Sequence, residues 1–304
     1  MIFPGQGSQS QGMQADLADR YPFVTETYAA ASEILGYDLW QLVQAGPAEK
    51  LAETVVTQPA MLTAGYVAWL AWHEAGGARP EQLAGHSLGE YTALVCSGAL
   101  NFAEAVRVVK KRSELMQAAV PVGSGAMAAV IGLDDAAVLA VCEAASGSGV
   151  VEAVNFNSPG QVVIAGHKAA VDDAVERAEE AGARRAIILP VSVPSHSSLM
   201  TGAGKELAET LANVEFAAPE IAVINATDAT PYIDADDIRQ RLAVQVHRPV
   251  RWVDTIGAMH DGGATSFIEC GPGKVLAGLV RRINRGTPVA TIDSENGLDK
   301  ALEL

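Results

Sequence analysis

The chain has 304 residues, 49% of them hydrophobic, and a formal net charge of −15. That length builds one large domain or two unequal ones with an ample core. The acidity argues against a nucleic-acid partner, which needs clustered Lys and Arg, and makes any acidic partner depend on a local basic patch.

The opening "MIFPGQGSQS" lacks the basic start and apolar run of a signal peptide. Helical patterns follow around 22–35, 58–75, 88–97 and 102–119. The longest apolar stretch, "AMLTAGYVAWLAW" (60–72), is too short to span a bilayer and reads as a buried helix. A cytoplasmic chain that avoids membranes is therefore expected. A short strand, "QLAG" (82–85), runs directly into "GHSLGEY".

From 126 to 190 the rhythm changes to strand, helix, strand, strand, helix, strand, with "NSPG" (157–160) turning between the middle strands. This βαββαβ order predicts a ferredoxin-like unit inserted into a larger one. Beyond it, helical 197–214 leads to a strand at 220–226, helices near 235–244 and 249–260, and a strand at 265–270. A helix over 271–283 and a last strand at 288–292 complete the pattern. The alternation predicts an α/β fold whose large subdomain (1–123 and 193–304) carries a parallel sheet covered on both faces. Residues 124–192 form the small subdomain. Cys96, Cys142 and Cys270 read as buried free thiols, since their odd number and spacing suit neither a disulfide framework nor a zinc site.

"GHSLG" fits G-x-S-x-G in the strand-to-helix context that pattern requires. Ser87 then sits on a turn so sharp that only glycine fits at 85 and 89, and the Leu88 N–H is left at a helix N-terminus to hold an oxyanion. An ordinary turn serine is the alternative. A nucleophilic serine needs a base, and six histidines are available: His73, His86, His167, His196, His247 and His260. His196, in "VPSHSSLM", follows a strand and a proline and precedes a helix, where strand-end loops deliver catalytic groups. No triad carboxylate is evident, so a dyad with His196 oriented by a backbone carbonyl is the simpler reading. The Gly5-Gln6-Gly7 turn misses the dinucleotide pattern but can offer a second oxyanion N–H; "GPGK" (271–274) lacks the spacing of a phosphate loop.

Together "FPGQGSQ", "GHSLGEY", "VNFNSPGQVVIAGH", "LPVSVPSH" and "GPGKVL" occur in one order across the chain. In them the sequence resembles the malonyl-CoA:acyl-carrier-protein transacylase family of bacterial fatty-acid synthesis. The resemblance implies an α/β-hydrolase-like large subdomain with a ferredoxin-like insert. It also implies Ser87 as nucleophile, His196 as base, Gln6 and Leu88 as oxyanion-hole residues, and the Gln245 carbonyl as the group orienting His196. Substrate contacts would come from Arg112, Gln6 and His86, with Arg112 gripping the malonyl carboxylate; read without the resemblance, Arg112 beside Lys110 and Lys111 is a solvated face. Only Met1 and Ile2 precede "FPGQG", so a shortened first strand or an upstream start is expected.

The implied activity is ping-pong transfer from malonyl-CoA to the phosphopantetheine thiol of acyl carrier protein by a monomer, with no metal and no cofactor. Competing readings are an esterase or thioesterase, an acyltransferase serving polyketide synthesis, and a non-catalytic carrier-docking module. Arg184/Arg185 and Arg281/Arg282/Arg285 are the candidate docking patches for an acidic carrier.

Overall fold

The computed structural model describes residues 1–191 and 193–304; Ser192, which closes the expected inserted unit, lies outside the described residues. The strands, in chain order, are β1 (Ile2–Phe3), β2 (Gln82–Gly85), β3 (Gly125–Ile131), β4 (Val151–Ser158), β5 (Gln161–His167), β6 (Arg185–Ile188), β7 (Ala222–Ile224), β8 (Phe267–Cys270) and β9 (Val289–Ile292). Five of them make one parallel sheet in the order β7-β2-β1-β8-β9.

Strand β1 is as short as the sequence suggested, yet it holds the centre: Ile2 is in register with both Ala84 and Glu269. Its two side chains point to opposite faces, as neighbours on a strand must. Phe3 enters a core with Trp69, Leu83 and Tyr91; Ile2 enters a second core with Trp252, Ile256 and Leu279. The sheet is thus covered on both sides by helices, the condition that parallel strands require.

The other four strands form an antiparallel sheet in the order β4-β5-β3-β6. Period two decides its faces: Ala128 and Val130 pack with Val138, Val171 and Ala174 of the two covering helices, Asp135–Ala145 and Lys168–Glu180. Met127 and Ala129 turn the other way, toward Leu189 and Val191. This is the expected ferredoxin-like arrangement, and its second face closes over the large sheet's strand ends.

Several boundaries moved. The helix expected from 58 begins at Thr54 and runs to Glu74. The region 197–214 is a 3-10 turn, Ser198–Met200, followed by the helix Thr201–Leu211. The helix expected at 249–260 is Trp252–Asp261, because Val250 is drawn into hydrogen bonds with Val154 and Phe156 of the small sheet. All three cysteines are buried and free. No helix among the described residues is long and apolar enough to cross a membrane.

Candidate active site

The elbow follows from steric exclusion. A Cβ on Gly85 would lie 1.9 Å from the Gly89 carbonyl carbon, and one on Gly89 would lie 2.1 Å from the Phe3 oxygen. Only glycines let β2, the helix Gly89–Cys96 and the end of β1 come this close. Ser87 between them takes φ 52°, a left-handed conformation that a non-glycine residue holds at a cost of about 1–3 kcal/mol. Gly5 is constrained likewise, its Cβ position lying 2.6 Å from the His86 oxygen. That contact brings the Gln6 turn against the elbow.

Ser87 Oγ lies 2.7 Å from His196 Nε2. On the far side of the ring, Nδ1 is 2.8 Å from the Gln245 carbonyl and 3.1 Å from that of Arg248. Carbonyls only accept, so the proton sits on Nδ1 and Nε2 is left as the acceptor for the serine hydroxyl. Burial lowers His196 to about 3, the Arg112 charge adds to this, and the backbone hydrogen bonds offset part of it. The imidazole is therefore neutral across the physiological range.

Arg112 is 1% exposed and is not the solvated residue its lysine neighbours suggested. On the helix Phe102–Ala118 the buried residues Val108, Val109, Ser113 and Met116 form one stripe, and Arg112 falls on it while Lys111 points outward. Its Nη1 donates to Gln58 Oε1 at 2.6 Å; Nη2 donates to Gln245 Oε1 at 3.0 Å and to Ser87 Oγ at 3.3 Å. The guanidinium also stands over the Tyr91 ring, 5.6 Å from its centre. Its Nε is buried with no hydrogen-bond partner among the described residues. Burial lowers its pKa, with Tyr91 and Glu90 opposing part of that shift.

Ser87, His196, Arg112, Gln6 and Leu88 line one cavity, closed from the small sheet's side by Met127 and Asn155. Neither the Gln6 nor the Leu88 N–H donates to a backbone or side-chain acceptor among the described residues. His86 also lines the cavity, but its Nε2 is 2.8 Å from Asn157 Oδ1 and its ring packs edge-on against Trp252. It ties the elbow to β4.

The residues that sequence reading missed are Gln58, Glu90, Asn225 and Tyr232. Gln58 sits next to Pro59 in a mostly apolar helix, and an amide side chain there is a signal for a buried partner. Gln245 was noticed for its carbonyl; its side chain is equally engaged, Nε2 donating to the Ser87 carbonyl at 2.9 Å and to Glu90.

The site thus places a hydroxyl on a neutral base, two cavity-lining residues with unengaged backbone N–H groups and a buried cation together, equipment suited to acyl transfer. Residues 1–294 match the family model described as acyl transferase domain, and the chain belongs to that family. It is 52% identical over 303 residues to the malonyl CoA-acyl carrier protein transacylase of Escherichia coli strain K12, covering 100% of this chain and 98% of that protein. It superposes on the acyl-carrier-protein S-malonyltransferase of Burkholderia pseudomallei 1710b with TM-score 0.97 at 52% identity, covering 100% and 98% of the two chains. A malonyl-transacylase solved in complex with its type II PKS acyl-carrier protein gives TM-score 0.98 at 48% identity, again over 100% and 98%.

Proposed function

We infer that the chain transfers the malonyl group from malonyl-CoA to the phosphopantetheine thiol of acyl carrier protein, in fatty-acid biosynthesis. The observation that carries the substrate is Arg112: a buried guanidinium without a carboxylate partner, 3.3 Å from the serine oxygen. An acyl group ending in a carboxylate supplies the missing countercharge, and one charge-assisted pair is worth roughly 1.5–3 kcal/mol.

In the first half-reaction His196 Nε2 takes the Ser87 proton as Oγ bonds to the thioester carbon. The Gln6 and Leu88 N–H groups hold the tetrahedral oxyanion. The carbon–sulfur bond then breaks, and CoA thiolate leaves with the proton from Nε2. In the second half the carrier's thiol gives its proton to His196 and attacks the malonyl-serine ester, and the proton returns to Ser87. Each transfer is carried by named groups of the chain, so the sequence of steps needs no metal or cofactor. The left-handed turn at Ser87 keeps Oγ clear of the sheet, where the acyl donor and then the acceptor thiol reach it.

The carrier's acidic surface has a matching face. Gln161, Ile131 and Arg185 lie side by side across β5, β3 and β6. The exposed Arg282 hydrogen-bonds Gln161 Oε1, so the two arginine clusters meet at one end of the small sheet. That end lies four residues, about 13 Å, along β3 from Met127 in the cavity wall.

Intact mass spectrometry after challenge with malonyl-CoA and acetyl-CoA tests the reading. A malonyl adduct on Ser87 that passes to carrier protein, absent in Ser87→Ala, is expected. Release of free malonate without transfer would make the protein a hydrolase; no adduct at all would leave a docking module. Arg112→Ala should lower malonyl loading by one to two orders of magnitude while acetyl loading rises relative to it.

A further inference from the structure

We propose that Glu90 is a positioning residue for acyl selection: its carboxylate fixes the Gln245 side-chain amide, which holds Arg112 where the acyl group's own carboxylate is received. The proposal rests on the malonyl-transfer reading and concerns a residue that touches none of the reacting atoms.

Glu90 stands in the first turn of the helix that follows Ser87 and is completely buried. A carboxylate out of water is tolerated only with its hydrogen bonds satisfied. Here Oε1 accepts from Asn225 Nδ2 and from the Tyr232 hydroxyl, both at 2.6 Å, and Oε2 accepts from Gln245 Nε2. Asn225 and Tyr232 flank the end of β7, and Gln245 closes the helix Ala235–Gln245. Three elements converge on one side chain.

The amide of Gln245 carries the consequence. Both of its N–H bonds are used, one on the Ser87 carbonyl and one on Glu90. A carbonyl and an ionised carboxylate can only accept, so the amide is held in one of its two orientations. Its Oε1 must then face Arg112, whose guanidinium can only donate, and it does so at 3.0 Å. The second support of Arg112 lacks such a pin, since the Gln58 amide nitrogen reaches only the weakly accepting sulfur of Met116. Replacing Glu90 by a neutral amide sets a group that can itself donate against Gln245. The Gln245 side chain is then free to turn its nitrogen toward the guanidinium, donor against donor.

Burial raises Glu90 to about 7, while Tyr232, Gln245 and Asn225 pull it back down. The charged and titratable groups facing it are Tyr232, Tyr91 and Arg112. Burial pushes both tyrosines upward and Arg112 stays charged, so near neutral pH Glu90 is the member of this group that changes state.

The test measures kcat/KM for acyl-serine formation from malonyl-CoA and acetyl-CoA in wild type, Glu90→Gln, Gln245→Ala and the double variant. Gln245→Ala keeps the backbone carbonyl that orients His196. Glu90→Gln is expected to lower the malonyl value about tenfold, leave acetyl within about twofold, and add nothing to Gln245→Ala. Equal losses for both acyl groups, no loss, or losses that multiply in the double variant would overturn the proposal. Should Glu90→Gln fail to fold, Tyr232→Phe asks the same question. Removing that donor raises Glu90 further, so the acid limb of the malonyl profile should move to higher pH and the acetyl profile should stay. An unmoved malonyl limb counts against the assignment. A wild type that forms no malonyl adduct sinks the transfer reading as well, which separates the two failures.

Discussion

Arg112 and His196 approach the same Ser87 oxygen, at 3.3 and 2.7 Å, so in the proposed mechanism the base works beside a permanent cation. After burial, that cation is the main reason the imidazole is held down to about 3. A bound carboxylate on Arg112 neutralises the neighbour and lets the imidazolium form more easily. Recognition and activation are therefore one electrostatic event. Arg112→Ala should raise the His196 pKa and move the acid limb of acetyl loading to higher pH, because the base is lost as pH falls through that pKa. Acetyl loading followed from pH 4 to 8 by mass spectrometry checks this; coincident profiles would refute the coupling.

Charge alone will not restore selectivity. Arg112 uses a planar fork, Nη1 on Gln58 and Nη2 on Gln245, to stay aimed at the cavity. A lysine has one ammonium for all of these tasks. Arg112→Lys should remain at least about tenfold below wild type in malonyl kcat/KM. Recovery to wild-type values would show that a point charge suffices.

Alanine substitution predicts opposite signs at an elbow glycine and at a glycine far from the elbow. Gly89→Ala drives a Cβ to 2.1 Å from the Phe3 oxygen and should destabilise by about 1–3 kcal/mol or more. Gly257, in the helix Trp252–Asp261, has no atom within 4 Å of its Cβ position, and Gly257→Ala should stabilise by about 0.4–1 kcal/mol. Urea unfolding of the two variants decides, and equal midpoints would contradict the steric account.

Glu269 makes stability depend on pH. It is fully buried in β8, accepts from the Leu276 and Ala277 N–H groups, and burial raises it from 4.5 to about 7. An acid whose pKa is raised on folding keeps its proton in the folded state after the unfolded chain has released it. Its contribution is therefore most favourable below about 4.5 and is lost as pH climbs through about 7. Thermal melting should show a smaller fall between pH 5 and 8 in Glu269→Gln than in wild type. Parallel curves would assign that fall elsewhere.

Carrier docking on the arginine rim predicts a selective kinetic defect. Arg185→Glu and Arg282→Glu should each raise the KM for carrier protein roughly tenfold, more at low salt, and leave the malonyl-CoA half-reaction unchanged. A defect shared by both half-reactions would place the damage in the cavity.

What the sequence revealed divides along physical lines. The elbow was legible because its signature is local: Gly85 and Gly89 flank Ser87 within five residues, although the atom Gly89 makes room for belongs to the distant Phe3. The ferredoxin-like unit was legible because six elements show clear period-two and period-3.6 patterns. The short helices Ala15–Arg20, Leu39–Ala45, Ala48–Ala52 and Glu295–Ala301 carry too few residues for a period to register, and they were missed. Arg112 was recovered through family resemblance, although its register with Val108 and Val109 already placed it inward. Gln58 offered only the hint of a polar side chain among apolar neighbours and Glu90 offered none, since the partners that give both their meaning lie more than fifty residues away.

The central position of β1 sets a timetable for the newborn protein. Ile2 leaves the ribosome long before its partner Glu269, which lies far down the chain, is made. Gln6 stands just behind that strand, so the proposed oxyanion site gains its full support only once β8 has emerged. Until then the apolar Ile2 and Phe3 have only β2 to pair with, a natural place for a chaperone to hold the chain. A ribosome-stalled chain ending before β8 should accordingly carry Ser87 and His196 and still load no malonyl group.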